Sequence, residues 1–187
     1  MNTKTSLEEN LQFVAGAVRR GQRKPGHPVI YFLWSALILL GWALPDFAPQ
    51  YAASYWIIAG PAGGLLSWWL GRRSAIAEGE LDRDLARRYG LHWLISGMAL
   101  FAVFLPLATG NAADGYSAAV FGRQFLLVIA FVYALAAIHL DRGLAASAVI
   151  MGAGYVVLTL WSPPYLWTTM GIVVALSLLV AGLWARR

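Results

Sequence analysis

The chain has 187 residues, of which 59% are hydrophobic and only 12% are charged, whereas soluble globular domains contain roughly 45–50% apolar and about 25% charged residues. This composition excludes a soluble domain, because 14 basic and 9 acidic side chains are too few to form a hydrated surface. The absence of cysteine excludes disulfide frameworks, thiolate nucleophiles and cysteine-ligated metal centres. We therefore expect a protein that crosses a membrane several times.

Residues 1–27 are predicted to form a short amphipathic cytoplasmic helix followed by a basic linker. Ser6 and Glu9 have the S-x-x-E spacing of a capping box, in which the two side chains satisfy free N–H groups at the start of a helix. Residues 1–10 lack an apolar core, so we expect no cleaved signal peptide. Apolar residues then recur with the spacing of one helix face, namely Leu7, Leu11, Val14 and Val18.

Six apolar segments follow, and we interpret residues 28–187 as one transmembrane domain. Each segment has about 20 residues, which is enough for a helix to cross the ~30 Å hydrocarbon core of a bilayer. The alternation typical of β-barrels is absent from the sequence, so the backbone must satisfy its hydrogen bonds within helices. The expected fold is all-α, an integral membrane bundle of six transmembrane helices with spans near residues 28–46, 52–71, 91–109, 117–139, 143–161 and 165–185.

The basic residues indicate the orientation of these spans. Three alternate loops contain no lysine or arginine, and all but one of the 14 basic residues lie on the other side of the predicted domain. Because cytoplasmic loops carry the excess of Lys and Arg, both termini are expected in the cytoplasm, in a bacterial inner membrane. The positive charges are spread over the ends of the spans, so the net charge of +5 does not indicate a nucleic acid partner.

Span two contains a stripe of small residues and a proline. Gly60, Gly64, Ser67 and Gly71 follow the i, i+4, i+7, i+11 spacing of one helix face, and small residues allow helix backbones to approach closely within lipid. We expect this stripe to pack against other helices of the same bundle; a homo-oligomer is the alternative. Pro61 is a candidate break in span two, a feature typical of transporter helices.

Arg123 and Gln124 are the polar exception inside the spans. Arg123 lies six residues into span four, about 9 Å from its outer end at 1.5 Å per residue. A charge inside the membrane is costly, which makes this pair a candidate functional site. We expect the guanidinium to reach the outer headgroups or to pair with Asp46 or Asp114. A ligand or anion site at Arg123 and Gln124 is the alternative.

The sequence provides little for catalysis or metal binding. His27, His92 and His139 all lie near the predicted cytoplasmic boundary, but no two of them have the local spacing of metal ligands. Nucleophile–base arrangements, the H-E-x-x-H zinc motif and phosphate-binding loops are absent from the sequence. We therefore predict no catalytic residues, no metal site, no cofactor and no enzymatic activity.

The cytoplasmic face provides the candidate binding surface, because the N-terminal helix and the loop after span two both combine apolar positions with charges. In the alternative, the first helix lies on the anionic inner leaflet and the loop simply extends span three. The predicted docking residues for a cytoplasmic protein are Leu7, Leu11, Val14, Val18, Leu81 and Leu85.

These features predict a scaffold, sensor or regulatory subunit of the membrane. A small transporter is the alternative function, and the packing of the core distinguishes the two. A solid core favours the scaffold, whereas a transporter needs a polar cavity near the bilayer midplane. The polar side chains available to line such a cavity are Ser54, Ser96, Tyr133 and Tyr155.

Overall fold

The computed structural model describes residues 11, 14, 27–77, 83–108 and 118–186, and these residues are mainly helical. No strand occurs in the described ranges, in agreement with the predicted all-α class. They contain six long helices and one 3-10 turn, Pro49–Tyr51. The helices are α1 (Pro28–Phe47), α2 (Ala52–Ala77), α3 (Arg83–Ala108), α4 (Ala118–His139), α5 (Leu144–Leu160) and α6 (Leu166–Ala185).

Three of these helices are long and apolar enough to cross a membrane. They are α1, α4 from Ala119 onward and α6, and α5 is a shorter apolar helix of 17 residues. Helices of this length and composition are typical of membrane spans. The structure thus agrees with the membrane association expected from the composition.

The helix bounds follow the predicted spans closely except around the loop after span two. There α2 continues to Ala77 and α3 already begins at Arg83. Both helices therefore extend beyond the predicted spans, as expected if the loop simply extends span three. The predicted break at Pro61 is wrong, because α2 continues through this residue. A proline removes one backbone donor, and membrane helices tolerate this loss when neighbouring groups satisfy the freed carbonyl.

The core of the bundle lies between α1, α4, α5 and α6. α6 is the central helix, because it packs most extensively against α1 and also contacts α5 and α4. α2 packs against α1, and α3 packs against α4, so these two helices flank the core. The largest fully buried apolar side chains all belong to α4, α5 and α6, and they include Leu126, Met151, Met170, Val174 and Leu178.

Glycines allow α1 and α6 to approach each other closely. A Cβ atom at Gly171 would lie 2.7 Å from the Cβ of Trp42, and one at Gly182 would lie 2.8 Å from the ring of Phe32. Such distances are shorter than van der Waals contact, so a side chain at Gly171 would displace Trp42 and one at Gly182 would require the Phe32 ring to move. In lipid this close packing supplies much of the free energy of helix association.

Buried hydroxyls of the core are satisfied across helix pairs. Ser35 of α1 donates to the carbonyl of Ala175 at 3.0 Å, and Ser147 of α5 donates to the carbonyl of Ser177 at 3.0 Å. An unpaired buried hydroxyl would be costly in an apolar environment. These bonds therefore join α6 to both of its principal neighbours.

The stripe of small residues on α2 packs only in part as predicted. Atoms placed as Cβ at Gly60 and Gly64 would meet nothing within 4 Å, whereas a Cβ at Gly63 would lie 2.9 Å from Leu37 of α1. Ser67 does face α1, because its hydroxyl accepts a hydrogen bond from Trp34 Nε1 at 2.9 Å. The large side chains of α1 thus pack against the face of α2 that contains Gly63 and Ser67. The predicted packing within the bundle is wrong for Gly60 and Gly64.

Contacts between neighbouring helices define two ends of the bundle. At one end Tyr31 of α1 contacts Asp141 after α4, and Arg186 after α6 lies over the ring of Phe32. At the other end Asp46 of α1 contacts Thr168 of α6. We call the first of these the basic end. All described arginines except Arg123 lie in or next to the helix ends that point toward it. They are Arg72, Arg73, Arg83, Arg87, Arg88, Arg142 and Arg186.

Replacing Gly171 with alanine is expected to destabilise the bundle, because the new methyl group meets the fixed Cβ of Trp42. The expected loss is about 1–3 kcal/mol in the free energy of unfolding. Gly152 is the matched control, since a Cβ there meets nothing within 4 Å, and its change to alanine should be neutral or raise stability by up to about 1 kcal/mol. Unfolding in detergent followed by circular dichroism measures both, and equal effects would contradict the packing described.

Candidate functional site at the basic end

The turn between α4 and α5 is organised by Asp141. Its carboxylate Oδ1 accepts the backbone N–H of Gly143 at 2.8 Å, and its carbonyl accepts the N–H of Leu144 at 3.0 Å. A short acidic side chain that accepts a backbone N–H two residues later is a common turn device. The acid therefore fixes the reversal of the chain at the basic end.

A tyrosine of α1 contacts the same carboxylate, and a tyrosine of α3 is affected by its charge. The hydroxyl of Tyr31 in α1 donates to Asp141 Oδ2 at 3.3 Å. The hydroxyl of Tyr89 in α3 is buried without a hydrogen-bond partner among the described residues. Burial, followed by the negative charge of Asp141, raises the pKa of the Tyr89 hydroxyl above its usual value. Asp141 thus connects α1 with the turn between α4 and α5.

A small cavity opens beside this carboxylate. Its volume of about 20 Å³ is enough for roughly one water molecule. The carboxylate and phenol form its polar side, so it can accept one small hydrogen-bond donor and is too small for an organic substrate. The lining residues are Tyr31, Asp141, Gly143, Ala181, Trp184 and Ala185.

The predicted docking residues are only partly within the described structure. The backbone is helical at Leu11 and Val14, and their side chains are 60% and 55% exposed. Leu7, Val18 and Leu81 lie outside the described residues, and Leu85 is described only as part of the α3 backbone.

Arg123 contacts a residue that is not among its predicted alternatives, which were the outer headgroups, Asp46 and Asp114. Its Nη2 donates to the hydroxyl of Ser162 in the turn between α5 and α6, and its Nε is buried without a partner among the described residues. Asp46 instead accepts the N–H and the hydroxyl of Thr168, both at 2.7 Å. The predicted pair with Asp46 is wrong, because the acid caps the start of α6, where free N–H groups favour negative charge.

Gln124 and Asp114 complete the predicted outer-side site. Gln124 is exposed on α4 next to Arg123, and Asp114 lies outside the described residues. Ser162 was not predicted as a partner, because it lies 39 positions from Arg123 in a turn without charge. The Arg123–Ser162 bond joins α4 to the α5–α6 turn and thus has a clear structural role.

The three histidines are not brought together into one cluster. His92 lies close enough to His139 for their charges to interact, and it hydrogen-bonds the backbone of Val132. Its ring also packs edge-on against Trp93, with centroids 5.1 Å apart. His27 Nδ1 is buried without a hydrogen-bond partner among the described residues. In the described part of the chain, no three His, Cys, Asp or Glu side chains are placed to hold a metal ion.

Comparison with known proteins provides no further assignment. No protein-family model, curated protein or solved structure matches the chain significantly. Tyr31 was not predicted as a partner of Asp141, since it lies 110 positions away from it. The one available signal was an acid at the end of a span, which the sequence alone cannot connect to a particular partner.

Removing the Tyr31 hydroxyl is expected to weaken the join between α1 and the α4–α5 turn. Tyr31→Phe should lower the free energy of unfolding by about 0.5–1.5 kcal/mol, and Asp141→Ala by about 1–3 kcal/mol because the Gly143 N–H also loses its acceptor. Tyr51→Phe is the control, because Tyr51 is 60% exposed and exposed substitutions change stability by less than about 0.5 kcal/mol. Denaturant titration in detergent measures all three; an equal response of Tyr31→Phe and Tyr51→Phe would refute the role of this bond.

Proposed function

We propose that this chain is a non-enzymatic bacterial inner-membrane protein that docks a cytoplasmic protein at its basic end. The observation that carries the proposal is the pair Leu11 and Val14, which are helical and more than half exposed. Three positions apart, they lie on one face of a helix. An apolar face held outside the bundle can serve as the anchor of a helix-in-groove interface.

Six membrane crossings are part of this proposal. At 1.5 Å per residue the 17 residues of α5 extend about 26 Å, so a slightly thinned bilayer accommodates this helix. The flanking helices α2 and α3 expose large apolar side chains that water would disfavour and lipid would accept. These side chains include Ile57, Ile58, Leu65, Leu94, Ile95, Met98 and Phe101.

A cytoplasmic location of the basic end is also proposed. Arginines from four separate parts of the chain lie at this end, namely those in the last part of α2, at the start of α3, after α4 and after α6. Membrane proteins retain such positive charge on the cytoplasmic side. The placement of these residues in the bundle supports the orientation that the sequence predicts.

The packing of the core supports a scaffold over the transporter alternative. Ser54 is exposed and donates to the carbonyl of Tyr51, while Tyr133 is buried and packs edge-on against Trp93. Met151, Met170 and Leu178 fill the centre of the described bundle. A transporter needs a polar binding site near the midplane, and the cavity described above lies instead at the basic end.

The alternative to docking is that the N-terminal helix lies on the inner leaflet of the membrane. Glu8 and Glu9 precede Leu11, and anionic headgroups repel carboxylates, which favours a protein partner. A photoreactive amino acid at position 11, used in intact membranes, distinguishes the two locations. A protein adduct supports docking, whereas adducts with lipid alone would place the helix on the leaflet.

Introducing carboxylates into the exposed stripe is expected to abolish docking. In the double variant Leu11→Asp and Val14→Asp, two charges would have to be buried in an apolar groove, so the partner cross-linked from wild type should be lost from the purified complex. The matched control is Gln12→Asp, which adds a carboxylate about 100° around the predicted helix from Leu11. Membrane insertion is checked by protease protection of the loops.

A truncation provides the opposing outcome. If the chain lacking residues 1–24 co-purifies with the same partner at the same yield, the N-terminal helix is not the docking element and the proposal fails.

A further inference from the structure

The outer face of α2 combines exposed tryptophan with arginine near the basic end. The guanidinium carbon of Arg72 lies 5.6 Å from the ring centroid of Trp68, and that of Arg73 lies 5.4 Å from the ring of Trp69. Both indoles are solvent-exposed in the isolated chain, at 62% and 48%. Two neighbouring cation–π pairs on one helix end therefore form a single charged and aromatic surface, which we call the α2 surface.

Among the described residues, the two guanidiniums lie over the indole rings, and no carboxylate pairs with either of them. A ring beneath each guanidinium restricts its motion and leaves its outward N–H donors available. The planar guanidinium matches the geometry of phosphate oxygens and is weakly hydrated. The charge of this surface is thus complementary to an anionic phosphate group.

An open furrow leads away from these pairs along the same helix. Gly60, Gly64, Trp68 and Arg72 follow one another at intervals of four residues, so they form one row on the surface of α2. A Cβ at either glycine would meet nothing within 4 Å. At 1.5 Å per residue the row extends about 18 Å from Gly60 to Arg72, which covers part of one bilayer leaflet.

We propose that the α2 surface binds an anionic phospholipid. The phosphate contacts Arg72 and Arg73, the glycerol region lies beside Trp68, and one acyl chain occupies the furrow at Gly64 and Gly60. Indole rings prefer this depth in a membrane, because they combine an apolar body with one polar N–H. Basic residues next to a span attract anionic lipids of the cytoplasmic leaflet.

A second copy of the chain is the competing occupant of the furrow. In a parallel dimer formed along this row, Arg72 and Arg73 of both copies would lie at the same end of the interface. Four positive charges would then repel one another with no carboxylate paired to them among the described residues, whereas a phosphate neutralises them. Charge complementarity therefore favours the lipid, and the oligomeric state is measured as part of the test.

The test uses the full chain in bilayer nanodiscs of phosphatidylcholine that contain phosphatidylglycerol as a minor component. Lipid retained after gentle detergent extraction is identified by native mass spectrometry. Wild type should retain phosphatidylglycerol in preference to phosphatidylcholine. The double variant Arg72→Gln and Arg73→Gln should reduce this preference about tenfold or more, since each basic residue contributes to anionic lipid binding. Equal retention of both lipids by wild type would overturn the proposal.

A matched variant separates a site from diffuse surface charge. Arg142→Gln with Arg186→Gln removes two charges from the same end and should leave the preference unchanged within about twofold. An equal loss in both double variants would mean that total charge alone attracts the lipid, and the proposal would be wrong.

A final variant tests the furrow without altering the charge. Gly60→Leu with Gly64→Leu fills the open row and should weaken phosphatidylglycerol retention while circular dichroism and gel filtration stay unchanged. Unchanged retention would exclude the acyl chain from the furrow. Conversion of a wild-type dimer to a monomer by this variant would instead identify a second copy as the occupant and overturn the proposal.

Discussion

The close packing of α1 against α6 is the contact on which the rest of the bundle depends. It brings the first and last described helices together, so it must form between segments that are far apart in the chain. Gly171 and Gly182 remove the side chains that would separate the two backbones, and Ser35 adds a hydrogen bond to α6 within the contact. Since lipid supplies no hydrophobic force between helices, steric fit and internal hydrogen bonds hold this pair together.

The position of the other helices follows from this pair. α5 and α4 complete the core on α6, while α2 and α3 remain at the edge and each contacts mainly one core helix. The two edge helices consequently present long apolar faces and the α2 surface to their environment. A filled core and open flanks are suited to a protein that acts through its surfaces, which is the basis of both proposals made above.

Hydrogen bonds of Asp141 hold the segments of the basic end together. Asp141 holds its own turn through Gly143 and is contacted by Tyr31 from α1, so one carboxylate joins the start of α1 to the turn between α4 and α5. At the opposite end Asp46 plays a comparable role for α6 through Thr168. Among the described residues, an acid at each end of the core therefore accepts hydrogen bonds from another segment.

The sequence by itself determined the helical class, the positions of the helices and the accumulation of arginine at one end. These properties are local, because hydrophobic run length and turn residues act on neighbouring positions. Only the tertiary structure decided which helices pair, which face of α2 packs, and that Asp46 contacts Thr168 while Arg123 contacts Ser162. Small and apolar residues occur on several faces of each helix, so the choice among them depends on shape complementarity between distant segments, which a single sequence does not express.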